Sequence, residues 1–412
     1  MGNKIYCLLI FFIGIKFFGQ DSDTVHKNSF FIAPEIVVGK TGEANTGFPD
    51  TEIQKSLFVS FGVYTTLTGK NRSRLKPFKT GFSLGITDFG NIEKLGLAYT
   101  LMPFSEFKIF QKYSNRWSLD LGLGVAYLDT QFDADRNAFN KAITTKINWA
   151  FRSFIYYDLI KKDKINWRMG LGYAHFSNGH TRLPNQGLNS FLISLSSSIG
   201  NEPEMEKIEK VKDKQKKRFS ETYFSFRTGI GQNVLSQVFN DKKEVYSIAL
   251  SAGKILNKRI KLGTGIYYRF YEHYYDHIKN DGQLISEQVP EFKENPYRYA
   301  TNLGVFVNAE LLLGHFGTEF ELGINIHKPF YKIDWQLSQG FFFRGEYTKL
   351  GELDWYYKVK RTVSSRLGIK YYLINTYKSP VNNVFFGANI NANLGQADFS
   401  EFSIGYVYRL KH

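Results

Sequence analysis

His175, Ser177 and Asn189 are the residues whose types and spacing could do chemistry. A serine hydroxyl is a weak nucleophile until a neighbouring base takes its proton, and histidine is the commonest such base. The three lie in one run from Ile165 to Asn189, INWRMGLGYAHFSNGHTRLPNQGLN. The run begins with strict alternation. Ile165, Trp167, Met169, Leu171 and Tyr173 share one face, and Asn166, Arg168, Gly170, Gly172 and Ala174 share the other. This is the period-two pattern of a β-strand with one apolar face. Counting on, His175 and Ser177 fall on the apolar side. Gly179, Pro184 and Asn185 mark a turn, after which Asn189, Phe191, Ile193 and Leu195 share a face. A hairpin centred near Arg182 sets Asn189 opposite His175, where cross-strand Cβ atoms lie about 4.5–5.5 Å apart. The result is a small polar cluster on a greasy surface.

The elements around that cluster must therefore present an apolar exterior. The composition fits one: 17% of the 412 residues are aromatic, with 38 Phe, 26 Tyr and 36 Gly. That excess suits a transmembrane β-barrel with aromatic girdles. A barrel hides its hydrophobicity by alternation, so the negative mean hydropathy does not argue against it. The chain opens MGNKIYCLLIFFIGIKFFGQ, with Lys4 before a short apolar run and Gly19 as a plausible cleavage residue. The run is too short to span a bilayer and reads as a secretory signal peptide over residues 1–19. Cys7, the only cysteine, would leave with it, which excludes disulfides and thiol catalysis in the mature chain. The net charge of +15 points to anionic lipid headgroups rather than nucleic acid in a secreted chain.

Alternating runs recur from Ser29 to Gly39, Ser56 to Leu67, Thr80 to Asp88, Lys94 to Met102, Asn115 to Leu128 and Ile143 to Tyr157. With the two strands of the Ile165–Asn189 hairpin they make eight, the size of a small outer-membrane barrel. If the first strand runs outward, the connection after Ser177 is external. The segment from Gly69 to Lys79 then falls on the internal side yet is long, against the habit of such barrels. Asn201 to Ser220 is charged, with Pro203 and no Gly, and reads as a periplasmic linker between residues 20–200 and 221–412. Nine further strand candidates follow, among them Arg259 to Tyr271, Phe316 to His327, Tyr331 to Phe343 and Glu401 to Leu410. Glu319 and Glu321 alternate with apolar residues and suit a watery lumen. The expected fold is an all-β, antiparallel outer-membrane barrel of roughly 14–18 strands. One continuous barrel is favoured because the greasy rows continue past the linker, with an eight-stranded barrel plus a second β unit as the alternative.

The run HFSNGHTRLPNQGLN resembles the active-site signature of the lipid A 3-O-deacylase (PagL) family, also described as acyloxyacyl hydrolases. The resemblance implies His175 as general base, Ser177 as nucleophile and Asn178 at the oxyanion hole. It implies Asn185 and Gly187 in the turn, and Asn189 in the place of an acidic third member. It also implies a lipid-facing site and, as substrate, lipid A or lipopolysaccharide in the outer leaflet, with no cofactor and no metal. The second half resembles the longer, two-part Bacteroidetes-type versions, and its residues assign it no particular chemistry. An amide at 189 can orient the imidazole but stabilises its charge less than a carboxylate would. His180 and Arg182 either pair with lipid phosphates or are plain solvated loop residues. His273 and His277 stand four apart, but YEHYYDH reads as an aromatic-rich surface loop rather than a metal-binding helix. The rival to a lipid A deacylase is a non-catalytic porin or lipid transporter.

Overall fold

The computed structural model describes residues 29–64, 78–111, 113–202, 220–343, 346–349 and 354–410. The expected signal peptide and most of the expected linker lie outside the described residues. The first half contains β1 (Ser29–Thr41), β2 (Gln54–Tyr64), β3 (Lys79–Asp88), β4 (Leu97–Lys108), β5 (Trp117–Leu128), β6 (Ile147–Lys162), β7 (Ile165–Ser177) and β8 (Leu188–Gly200). Each pairs antiparallel with its neighbour in sequence, and β8 returns to β1, with Ile36 opposite Leu195. The sheet is closed, so no row of backbone N–H and C=O groups is left unpaired in hydrocarbon.

The second half repeats the design with β9 (Ser220–Asn233), β10 (Lys243–Leu256), β11 (Ile260–Tyr271), β12 (Thr301–Leu313) and β13 (Phe316–His327). A small separate hairpin, β14 (Gly340–Phe343) with β15 (Glu346–Lys349), follows. The barrel resumes with β16 (Val363–Tyr372), β17 (Asn382–Asn393) and β18 (Gln396–Leu410), and closes when β18 pairs with β9. Sixteen strands thus form two closed barrels of eight, not the single barrel that the continuing rows suggested. The physical reason is simple: an apolar exterior alternates in the same way on one wide barrel or two narrow ones. Closure is set by which strands meet, and alternation does not encode it.

Exposed apolar rows ring both barrels, including Phe30, Ile36, Leu57, Leu171 and Phe191 on the first and Phe226, Leu250, Phe320 and Phe402 on the second. Such rows are stable only against hydrocarbon, so both barrels are membrane-spanning. The interiors are filled, as eight strands leave room for side chains and little else. In the first, Arg152 Nη2 donates to Glu35 Oε2 at 2.7 Å and Arg168 Nη1 to Glu106 Oε2 at 2.6 Å. In the second, Arg366 donates to Glu319 and Glu401, and Lys370 Nζ lies 2.6 Å from Glu319 Oε1. Glu319 and Glu321 therefore sit in a packed ionic core, each almost fully buried, rather than in the watery lumen their alternation suggested.

The parity of the loops holds. The β7–β8 connection lies at the same end as those joining β1 to β2 and β5 to β6. Tyr64 and Lys79, which flank the long segment of the first half, lie at the opposite end with the short β6–β7 turn. Two expectations fail in the second half. Tyr331–Gln339 is a helix, not a strand. Its apolar residues alternate, but Phe330, Ile333 and Leu337 also fit helical spacing, and Phe330 and Ile333 are fully buried in the core over the barrel mouth. Glu272–Lys279 is likewise a helix rather than a loop, and His273 Nε2 pairs with the Asp241 carbonyl at 2.6 Å.

Candidate active site

The β7–β8 hairpin brings the candidate residues together. Its register sets His175 directly opposite Asn189, and the β6–β7 register sets Ser177 opposite Trp149. His175 Nδ1 lies 2.8 Å from Asn189 Oδ1, and His175 Nε2 lies 3.0 Å from Ser177 Oγ. With its oxygen turned to the ring, the Asn189 amide can only accept there. Nδ1 then carries the ring proton, and Nε2 is left to accept from the serine hydroxyl. The same Asn189 oxygen accepts from Tyr173 Oη at 2.6 Å. Two donors converging on one oxygen fix the plane of the amide and hence the orientation of the imidazole. Tyr173 was missed at the level of sequence. Its place two residues before His175 on the same face was the available signal.

Ser177 is only 6% exposed, whereas Leu171 and Phe191, further along the same outward face, are 62% and 74% exposed. The Ser177 hydroxyl therefore sits at the covered end of an open apolar wall.

The loop after Ser177 is held by its own side chains. Asn178 N–H donates to Asn185 Oδ1 at 3.0 Å, Asn178 Nδ2 donates to the Arg182 carbonyl at 2.7 Å, and Asn178 Oδ1 accepts from Thr181 N–H at 3.1 Å. The Asn178 side chain is thus engaged within the loop, with one amide hydrogen left over. Asn185 is tied by its oxygen to the residue next to Ser177, and its Nδ2 makes no hydrogen bond among the described residues. Gly187 adopts φ +75°, and a Cβ there would come within 2.8 Å of His175 Cε1. Only glycine lets the chain turn so close to the ring. Gln186 and Gly187 N–H groups donate to Lys141 and Ala142 carbonyls, each at 3.0 Å, which ties the loop to the β5–β6 connection.

Arg182 is exposed and makes no ion pair among the described residues, so it remains available to an anionic group. His180 is placed differently from the expectation. Its carbonyl accepts from Val234 N–H at 3.2 Å in the second barrel, and burial lowers the ring's affinity for a proton, with Asp398 opposing that effect. Two further contacts cross between barrels: Trp149 Nε1 donates to Ser400 Oγ at 3.0 Å, and the Asn240 side chain pairs with the backbone of Leu183. Sequence reading found none of these, because they join positions far apart in the chain.

Comparison with known proteins bears on the first barrel. Residues 54–198, from the start of β2 to near the end of β8, match the family described as lipid A 3-O-deacylase (PagL). Among curated proteins, no relative matches. Among solved structures, the outer membrane enzyme PagL is 17% identical, covering 40% of this chain and 98% of its own, with a TM-score of 0.29. A triple mutant of the Rhodopseudomonas blastica porin is 10% identical over 93% of this chain and 100% of its own, with a TM-score of 0.18. The NanC porin is 7% identical over 92% of this chain and 100% of its own, with a TM-score of 0.16. The first barrel of this chain resembles, and over residues 54–198 matches, the lipid A 3-O-deacylase (PagL) family.

Proposed function

We propose that this chain is an outer-membrane lipid A deacylase, a serine-type carboxylic ester hydrolase that removes an ester-linked acyl chain on the lipid-facing surface of its first barrel. The observation that carries the reading is the linked set Ser177 Oγ, His175 and Asn189, at 3.0 and 2.8 Å, on that exterior. It lies within the segment that matches the lipid A 3-O-deacylase family.

In this reading His175 Nε2 takes the Ser177 proton as Oγ attacks the ester carbonyl. The carbonyl oxygen becomes an oxyanion, stabilised by amide donors of the 178–187 loop. Collapse breaks the bond to the sugar or hydroxyacyl oxygen, which leaves with the proton from Nε2. An acyl-Ser177 ester remains. Water, deprotonated by Nε2, attacks this ester, releasing a free fatty acid and restoring the Ser177 hydroxyl. Asn189 orients the ring through both protonation states but offers no counter-charge to the imidazolium. Exposed Arg182 suits a contact with a phosphate or other anionic group of the substrate. The long-loop end is then the cell exterior, and the chain reaches the membrane through its signal peptide at residues 1–19. Gly200 and Ser220, the strand ends that flank the expected linker, then lie on the periplasmic side.

The rival reading, a porin or lipid transporter, has less support. Among the described residues both lumens are occupied by ionic networks built on Arg152, Arg168 and Arg366. Mass spectrometry of lipid A from cells expressing wild type or Ser177→Ala tests the proposal. Loss of one acyl chain with wild type alone is the expected outcome, and identical acylation patterns from both would remove this assignment.

A further inference from the structure

The second barrel touches the first at the candidate active-site loop. Three contacts converge there. Asn240, in the connection between β9 and β10, accepts from Leu183 N–H at 2.9 Å and donates to the Leu183 carbonyl at 2.6 Å. Val234 N–H donates to the His180 carbonyl at 3.2 Å. Ser400, in β18, accepts from Trp149 Nε1 at 3.0 Å and donates to the Gly179 carbonyl at 3.3 Å. Trp149 is itself the cross-strand neighbour of Ser177. Gly179 adopts φ +64°, and a Cβ there would run into Ser400 Oγ and the Trp149 ring.

These partners are firmly seated in the second barrel. Val234 and Leu235 are almost fully buried, and Leu235 packs in the apolar cluster with Tyr271, Phe330 and Phe399. Ser400 is flanked in its strand by the fully buried Phe399 and by Glu401, which is ion-paired to Arg366. The loop from Asn178 to Gly187 is therefore gripped on one side by Lys141 and Ala142 of its own barrel and on the other by a rigid rim of the second. The residues gripped are those that follow the nucleophile directly.

We propose that the second barrel is a positioning module for the hydrolytic site, with Asn240 and Ser400 as positioning residues that hold the 178–187 loop in its working geometry. This rests on the hydrolase reading for its kinetic consequence, but the clamp itself is testable without it. Both hydrogen bonds of the Asn240 side chain go to the backbone of Leu183, so the clamp reads loop shape rather than the identity of the loop's side chains. A loop released from it samples conformations in which its amide donors no longer meet the oxyanion, and small misplacement of this kind is costly to chemistry.

The test uses the full chain, purified and refolded in detergent, with Asn240→Ala, Asn240→Asp, Ser400→Ala and a control, Val238→Ala, at an exposed site on the same connection. Retained heat-modifiable migration on gels shows that each variant is a folded barrel. Hydrogen exchange at the amides of residues 178–187 should accelerate in Asn240→Ala and Ser400→Ala and stay unchanged in Val238→Ala. On lipid A in mixed micelles, Asn240→Ala should lose about 10- to 100-fold in kcat with little change in KM. Asn240→Asp, which keeps the acceptor and loses the donor, should fall between. Unchanged exchange in both folded alanine variants overturns the inference whatever the activity. Full kcat in both, with an active wild type, overturns it as well. Accelerated exchange in the two alanine variants, with a wild type that hydrolyses nothing, supports the clamp and overturns the hydrolase reading instead.

Discussion

His175 and Asn189 face one another across β7 and β8, with Nδ1 2.8 Å from the amide oxygen. A hydrolytic triad ordinarily carries a carboxylate at this point, which both orients the imidazole and stabilises the imidazolium. Here the amide supplies the orientation alone. Asn189→Asp keeps the oxygen where it is and adds the missing charge, so kcat on lipid A should be retained or raised. Asn189→Leu removes the acceptor and should lower kcat by about 100-fold or more. Steady-state kinetics of the two variants check this, and a large loss in Asn189→Asp would show that the neutral amide is required.

Tyr173 Oη donates to the same oxygen at 2.6 Å. Tyr173→Phe removes one neutral hydrogen bond, worth about 1 kcal/mol, while leaving the ring in place. The expected effect is a fall of about fivefold in kcat, with the melting temperature lowered by no more than about 4 °C. Equal activity of the two proteins would mean that the amide plane is fixed without the tyrosine.

Asn178 and Asn185 divide the oxyanion question between them. Asn178 holds the loop through its side chain and backbone, whereas Asn185, bonded through its oxygen to Asn178 N–H, keeps an amide nitrogen with no partner among the described residues. Asn185→Ala should therefore lower kcat by about 10²- to 10³-fold, the usual cost of losing an oxyanion donor. Asn178→Ala should lower both activity and loop protection in hydrogen exchange. The opposite pattern would return the oxyanion role to Asn178.

The candidate site and the fold were legible to different depths. The spacing His175-x-Ser177 and the return of the apolar row at Phe191 placed three side chains on one exterior face, since a strand's period of two is read directly from residue types. Alternation also located all eight strands of the first barrel. It could not say that β8 returns to β1, because closure leaves no mark on a strand's own pattern. It misread Tyr331–Gln339, where a short apolar run satisfies both periods and burial over the barrel mouth decides for the helix. Asn240 and Ser400 were invisible for a further reason: an asparagine in a loop and a serine within a strand have ordinary residue types, and only their long-range partners give them meaning.

The His180 ring, half-buried against the second barrel, has a proton affinity lowered chiefly by desolvation, an effect that Asp398 opposes. The linkage has a definite sign. A histidine whose folded-state pKa lies below its unfolded value of about 6.5 costs nothing above that pH. Its penalty grows as pH falls through the window between the two values. His180→Asn removes the titrating group, and asparagine tolerates the left-handed φ of +70°. The melting temperature of wild type should therefore fall further between pH 7.5 and about 5 than that of His180→Asn. Parallel curves for the two proteins would contradict the burial of this ring.

The most direct measurement is release of free fatty acid from purified lipid A by the folded, purified full-length chain, wild type against Ser177→Ala. Steady release by wild type is expected, and none above the uncatalysed background by the variant, with both barrels intact. Equal release from the two, or none from either, would contradict the claim that the Ser177 hydroxyl, activated by His175, is the nucleophile of a lipid A deacylase.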